Sequence, residues 1–228
     1  MTFDIWGTLL DLSKFYLLLS RKLSFLSGRN SEELYSSILS TYNEALRVRL
    51  GGGFSKIIID SGEFFSRRLK TTTETLFKAV TMTLEEPEIS ELAYPDAVEA
   101  VESVKSEGYT TATLGNVMFW PGMVTRYFLY KNGLLKYFDL TVFSDEVGLQ
   151  KPSREIFEYI AEKFGVSTRE IVHVGDSLEN DLAGALISGS KAILVNRNSP
   201  TEILELGKSA LLVNSLRHLL SALRELRE

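Results

Sequence analysis

The stretch Ile171-Val172-His173-Val174-Gly175-Asp176-Ser177-Leu178-Glu179-Asn180-Asp181 decides the fold. Its opening run, Ile171–Gly175, is almost wholly apolar, as a strand buried on both faces of a parallel sheet must be. A helical pattern follows over 178–188 and stops at Gly189. The same alternation repeats outward in both directions. Upstream, helices are expected at 97–107, near 122–132 and at 153–164, with strands at 109–114 and 139–143. Downstream, strands are expected at 191–195 and 210–213, with helices near 200–207 and at 215–227. Strands alternating with helices imply a parallel sheet covered on both faces.

The start of the chain breaks this pattern. Residues 2–6 read as a short strand, and from about 12 to 90 the signal is helical only. Asn30 and Glu33 have capping-box spacing, and Leu34, Ile38 and Tyr42 follow at helical intervals. Gly51-Gly52-Gly53 interrupts the stretch, and Pro87 lies near its end. The expected organisation is a Rossmann-like α/β core made of 1–11 and 93–228, with a helical cap, 12–92, inserted after the first strand. Only three residues precede Asp4, so the first strand is short for a central one; residues upstream of Met1 would lengthen it without moving the site.

Composition excludes several chemistries. The 228 residues contain no cysteine, which removes disulfides, thiol nucleophiles and thiolate zinc sites and fits a reducing compartment. There are 2 histidines, so two-His catalytic arrangements are disfavoured, and chemistry falls to carboxylates, Lys, Ser/Thr and backbone. A net charge of −5 without clustered Lys/Arg gives no footprint for nucleic acid. The apolar run Phe15–Leu19 is far short of the ~20 residues a membrane span needs, and no signal peptide is visible. A cytoplasmic protein, monomeric or homodimeric, is expected.

In open α/β sheets, ligands bind beyond the carboxyl ends of the strands. Four motifs stand there: Asp4-Ile5-Trp6-Gly7-Thr8-Leu9; Leu114-Gly115-Asn116; Lys151-Pro152; and Gly175-Asp176 through Asp181. In this order, with the helical insert, they resemble the haloacid dehalogenase (HAD) superfamily of hydrolases, in the subgroup with a cap after the first strand. Tyr94-Pro95-Asp96, where the chain returns to the core, and Asn132 through Asp139 are similar to that family's pattern too.

Each motif carries a chemical expectation. A carboxylate such as Asp4 can attack phosphorus or carbon and form a covalent intermediate. Gly7 allows a sharp turn, and Thr8 can orient the site. Lys151 can neutralise the nucleophile and a bound anion. Asn116, with the backbone amides of Gly115 and Asn116, can hold an anionic oxygen. Asp176 and Asp181 can hold or orient Mg²⁺, which prefers hard oxygen ligands; Asp181 either ligates it or supports from behind. The resemblance implies that Asp4 and the Trp6 main-chain carbonyl complete the metal site, and that the cap closes over it. His173, in its apolar strand, reads as a packing residue. Arg47 and Arg49 read as a solvated helix face, with binding of an anionic substrate as the other option. Phe15, Tyr16, Phe64 and Phe65 read as the core of the cap.

Two positions depart from the family's phosphatases. Trp6 stands where an acid usually protonates the leaving group, and loss of such a group removes ~10²–10⁴-fold in rate. Gly115 stands where Ser or Thr is usual, and Thr113, two residues earlier, is set back from the strand end. An aromatic residue at the Trp6 position is similar to the 2-haloacid dehalogenases, which need no metal, but those lack an acid at the Asp176 position. The leading expectation is Mg²⁺-dependent hydrolysis of a small phosphomonoester. The alternatives are a 2-haloacid dehalogenase and a weakly active binder of phosphorylated ligands.

Overall fold

The computed structural model describes residues 1–226. Its strands are β1 (Thr2–Phe3), β2 (Ala112–Gly115), β3 (Leu140–Phe143), β4 (Val172–Gly175), β5 (Lys191–Val195), β6 (Ile203–Gly207) and β7 (Ala210–Val213). They form one 7-stranded sheet in the order β3-β2-β1-β4-β5-β7-β6. All neighbours pair in parallel except β6 with β7. β1 lies between β2 and β4, where the direction of strand addition reverses, so the residues that follow it open at the switch point of the sheet. The expected strand over 191–195 and the one over 210–213 stand at those bounds.

The helix Arg154–Phe164 shows why these segments fold as they do. Its Ile156, Phe157, Ile160 and Ala161 recur at helical spacing on one face. That face packs in one buried cluster with Ala112 and Leu114 of β2 and Val142 of β3. Removing each large side chain from water contributes about 1.5–3 kcal/mol.

Two expected helices take another form. Residues 200–207 were expected to be helical, but Ile203–Gly207 is an edge strand. Its Leu204 pairs with Leu212 and its Glu205 with Leu211 of the buried β7, so the free hydrogen-bonding edge of β7 overrides local propensity. The segment expected as a helix over 178–188 opens as a π-helix, Leu178–Ala183, and becomes α-helical only at Gly184–Ile187. The last expected helix, 215–227, is a 3₁₀ turn, Leu216–His218, followed by Leu219–Glu225; residue 227 lies outside the described residues.

The chain divides into two units: residues 1–10, 93–116 and 133 onward, and residues 11–92 with 117–132. The first holds the whole sheet. The second holds the helices Leu12–Ser27, Ser31–Leu50, Ile57–Arg68, Thr73–Thr83 and Gly122–Lys131. The expected boundaries assigned 117–132 to the core. Aromatic packing groups it with 11–92 instead: the Phe119 ring lies 4.3 Å from that of Phe65, and Trp120 4.8 Å and Phe128 5.2 Å from Phe15. Phe15, Tyr16 and Phe65 are fully buried there, as expected, and Phe64 is half-buried. Asn30 caps its helix as its spacing predicts. Among the described residues, no helix is long and apolar enough to cross a membrane.

Candidate active site

The site is built where β1 and β4 end side by side. The Asp4 backbone N–H donates to the Val174 carbonyl at 2.8 Å, which carries the ladder one residue beyond β1 and fixes Asp4 at its tip. The chain then turns at Gly7, whose φ of +90° suits glycine alone. A Cβ at Gly7 would also lie 2.2 Å from an Asp176 oxygen, so the turn needs glycine twice over. The fully buried Thr8 closes the loop, its hydroxyl 3.3 Å from Asp4 Oδ2 and 3.4 Å from Asp176 Oδ1.

Lys151 is 2% exposed and reaches across to both sides. Its Nζ donates to Asp4 Oδ1 at 2.7 Å and to Asp181 Oδ1 at 2.6 Å. Burial pulls the ammonium towards neutrality, but the Asp181 and Asp4 charges outweigh it and raise its pKa above the ordinary value. Lys151 is therefore a fixed cation beside Asp4.

Asp176 and Asp181 have different surroundings. Asp181 Oδ1 accepts from Lys151 and pairs with His173 Nε2 at 2.9 Å, and its Oδ2 accepts from the Ser177 backbone at 2.9 Å. Burial would raise its pKa, but Lys151 and His173 prevail and hold it well below the ordinary carboxylate range. Asp176 is exposed on one side. It is pushed up to about 8 by desolvation against the site walls and then by the charges of Asp4 and Asp181, a push that solvent access screens in part. Burial also raises Asp4, against the opposing pull of Lys151.

Carboxylate oxygens of Asp4, Asp176 and Asp181 lie within 4.8 Å of one another. Set against a single Lys151 ammonium, these three acids leave excess negative charge, and their donor atoms are the hard oxygens that Mg²⁺ prefers. The residues present therefore fit a small divalent cation.

Asn116 and Arg49 differ from their expected roles, and the surroundings of Gly115 and Thr113 are now defined. Asn116 was expected at the substrate, but its side chain is engaged with the Lys151 backbone: Nδ2 donates to the carbonyl at 2.8 Å, and Oδ1 accepts from the N–H at 2.9 Å. A side chain at Gly115 would be tight: a Cβ there would lie 3.0 Å from Ile5 and 3.1 Å from Phe143, so the Ile5 branch and the Phe143 ring would have to give by a few tenths of an ångström. Thr113 does not compensate, because it is fully buried with its hydroxyl accepting from the Val142 N–H at 3.3 Å. Arg49 is buried and donates to the Val117 carbonyl at 3.3 Å rather than lying on a solvated face, whereas Arg47 is exposed as expected.

His173 packs edge-on against Phe157, but it does more than pack. Its Nδ1 meets the Thr2 hydroxyl at 2.8 Å while its Nε2 holds Asp181. Burial keeps its pKa low, so at neutral pH the ring is uncharged. Thr2 and this chain of contacts escaped sequence reading. The available signal was a polar pair in adjacent apolar strands, since buried polar groups require partners.

Residues 1–189 match the family described as haloacid dehalogenase-like hydrolase. The chain belongs to that family. Among relatives of this HAD hydrolase, a glyceraldehyde 3-phosphate phosphatase from Methanothermobacter thermautotrophicus is 28% identical over 211 residues, covering 85% of this chain and 84% of that protein. The (S)-2-haloacid dehalogenase 4A of Burkholderia cepacia is 30% identical over 127 residues, 56% of this chain and 53% of that one. The HAD-hydrolase YfnB from Bacillus subtilis, solved bound to magnesium, superposes with a TM-score of 0.80 at 19% identity, covering 97% of this chain and 96% of that one. At that identity the likeness is one of fold.

Proposed function

We propose that this HAD hydrolase is a Mg²⁺-dependent phosphatase of small phosphomonoesters, with Asp4 as nucleophile. The observation that carries the reading is the excess of carboxylate at the site mouth, where Asp176 stands beside Asp4. Three carboxyl groups converging beside one ammonium make a cation site, which phosphoryl transfer uses to offset charge on the phosphoryl oxygens and which displacement of halide from carbon does not need. The phosphatase among the relatives supports the same choice.

Asp4 attacks phosphorus as the bond to the leaving oxygen breaks, which gives an aspartyl phosphate and an alkoxide or phenoxide that takes its proton from water. Water then attacks that phosphorus, which releases phosphate and restores Asp4. Lys151 offsets the repulsion between Asp4 and the incoming anion. The backbone N–H groups of Gly115 and Asn116 would hold the phosphoryl oxygens, and the Asn116 side chain keeps the Lys151 backbone in place. Asp4, Asp176 and the Trp6 carbonyl would hold Mg²⁺, which supplies the positive charge that stabilises the phosphoryl oxygens. Asp181 acts from behind through Lys151. The enzyme is read as cytoplasmic and monomeric or homodimeric.

The test is release of phenol from an aryl phosphate, with Mg²⁺ and with chelator, beside Asp4→Asn. Turnover is expected only with Mg²⁺ and is expected to vanish in the variant. Because Trp6 cannot donate a proton, alkyl phosphates should react more slowly than aryl phosphates by about the ~10²–10⁴ that a positioned acid supplies. Halide release from 2-haloacids in chelator, with no phosphatase turnover, would replace this reading by the dehalogenase one, which Trp6 and the Burkholderia relative favour.

A further inference from the structure

Arg197 lies in the loop between β5 and β6, beyond the stretch that matches the family. Its guanidinium joins two parts of the chain far apart in sequence. Nη2 donates to the Thr8 carbonyl at 3.0 Å, and Nη1 donates to Asp96 Oδ2 at 2.9 Å. The same group stacks 3.8 Å from the centre of the Tyr94 ring. Asp96 is 5% exposed, and its Oδ2 also accepts from the Ser215 hydroxyl at 2.7 Å and the Leu216 N–H at 2.9 Å. Arg197 therefore hangs the nucleophile loop on a buried, fixed carboxylate.

The backbone bonds of the nucleophile loop include Leu9 and Leu10 N–H to the Ile5 carbonyl, Gly7 N–H to the Leu10 carbonyl, and Tyr94 N–H to the Leu9 carbonyl. The Thr8 carbonyl itself is gripped by Arg197. The Thr8 hydroxyl, on the same residue, spans Asp4 and Asp176 at 3.3 and 3.4 Å, near the limit of hydrogen bonding, so a small shift of this residue would break both contacts.

We infer that Arg197 is a positioning residue for the reaction: by bridging Thr8 to Asp96 it holds the Thr8 hydroxyl between the nucleophile and Asp176. This rests on the phosphatase reading for its kinetic consequence, but the bridge itself can be tested without turnover. A guanidinium suits the task because its planar fork serves two acceptors at once, whereas a lysine serves them as a single point.

The experiment compares Arg197→Ala and Arg197→Lys with Ser199→Ala, which disturbs the same loop without touching the bridge. With an aryl phosphate and Mg²⁺, kcat is expected to fall about 10- to 100-fold in both Arg197 variants, the scale of an ~1 Å misplacement, with KM little changed. Added guanidinium should restore part of the Arg197→Ala activity, and ammonium should not. Ser199→Ala should keep the parent kcat. A second arm uses a Trp120→Phe background, in which Trp6 of the nucleophile loop is the sole tryptophan. Acrylamide quenching of Trp6, read well below the melting temperature of each variant, is expected to rise in Arg197→Ala and Arg197→Lys but not in Ser199→Ala. Parent-like kcat and quenching in both Arg197 variants overturn the inference. So does a loss that tracks a lowered melting temperature and is not rescued by guanidinium. If the parent enzyme shows no phosphatase turnover, that failure belongs to the functional reading, and the quenching arm alone decides the bridge.

Discussion

The floor of the site and its mouth use the same residue type for opposite ends. At the floor, Asp181 is enclosed by Lys151, His173 and the Ser177 N–H, and its charge is held well below ordinary carboxylate pKa. At the mouth, Asp176 faces solvent on one side and its fellow acids on the other, and its pKa is pushed up to about 8. The lesson is electrostatic. A carboxylate surrounded by donors keeps its charge and stabilises the fold. A carboxylate desolvated against the site walls and crowded by other carboxylates gives its charge up until a cation arrives.

Breaking the floor should have the largest effect. Asp181→Asn leaves Lys151 buried with one carboxylate partner fewer, and removal of one partner from a buried pair costs about 3–5 kcal/mol. Urea unfolding of the metal-free protein should show a loss on that scale. A midpoint within error of the parent would show that Lys151 is supported by other means.

Breaking the mouth should leave the fold intact. Asp176→Asn relieves like-charge repulsion, so the metal-free melting temperature should stay or rise. The stabilisation on adding Mg²⁺ should nearly vanish, with affinity down by about 10²-fold, the upper scale seen when ligand support is lost. Thermal melts across a Mg²⁺ series read both outcomes. A lowered metal-free melting temperature would place Asp176 with the floor.

The third prediction sharpens the contrast by pH. Between its ordinary 3.8 and about 8, metal-free Asp176 carries a proton that the unfolded chain lacks. It therefore favours the folded state at low pH and loses that contribution as pH rises towards 8. Asp181 runs the other way: its lowered pKa gives stability present above its ordinary value and lost on acidification. Mg²⁺ must displace the Asp176 proton, so its affinity should rise with pH by at most about tenfold per unit and level off above about 8. Titration calorimetry in buffers of different ionisation enthalpy would measure the proton released; none released near pH 7 would remove Asp176 from the metal site.

Much of this site was legible in the sequence because its chemistry is local. Asp4, Gly7 and Thr8 sit within one turn, and Asp176 through Asp181 span one strand end. Alternation placed both segments at the carboxyl edge of a sheet. Residues 200–207 were misread because the deciding partner, β7, lies beyond them and supplies an open edge that local pattern does not announce. Asn116 was assigned to the substrate for a related reason. Its residue type suits anion binding, but the Lys151 backbone happens to lie within reach of both ends of its amide.

The sequence by itself determined the α/β architecture, the helical insert, the order of the four motifs and the acids that cluster at the strand ends. Those follow from periodicity and from strand ends, which are properties of neighbouring residues. Only the tertiary structure decided that Asp181 serves Lys151, that Thr2 and His173 buttress it, that 117–132 packs with the inserted helices, and that Arg197 reaches the Thr8 carbonyl. Each of these depends on side chains tens to nearly two hundred residues apart, whose partners are chosen by packing and by the need to satisfy buried polar groups.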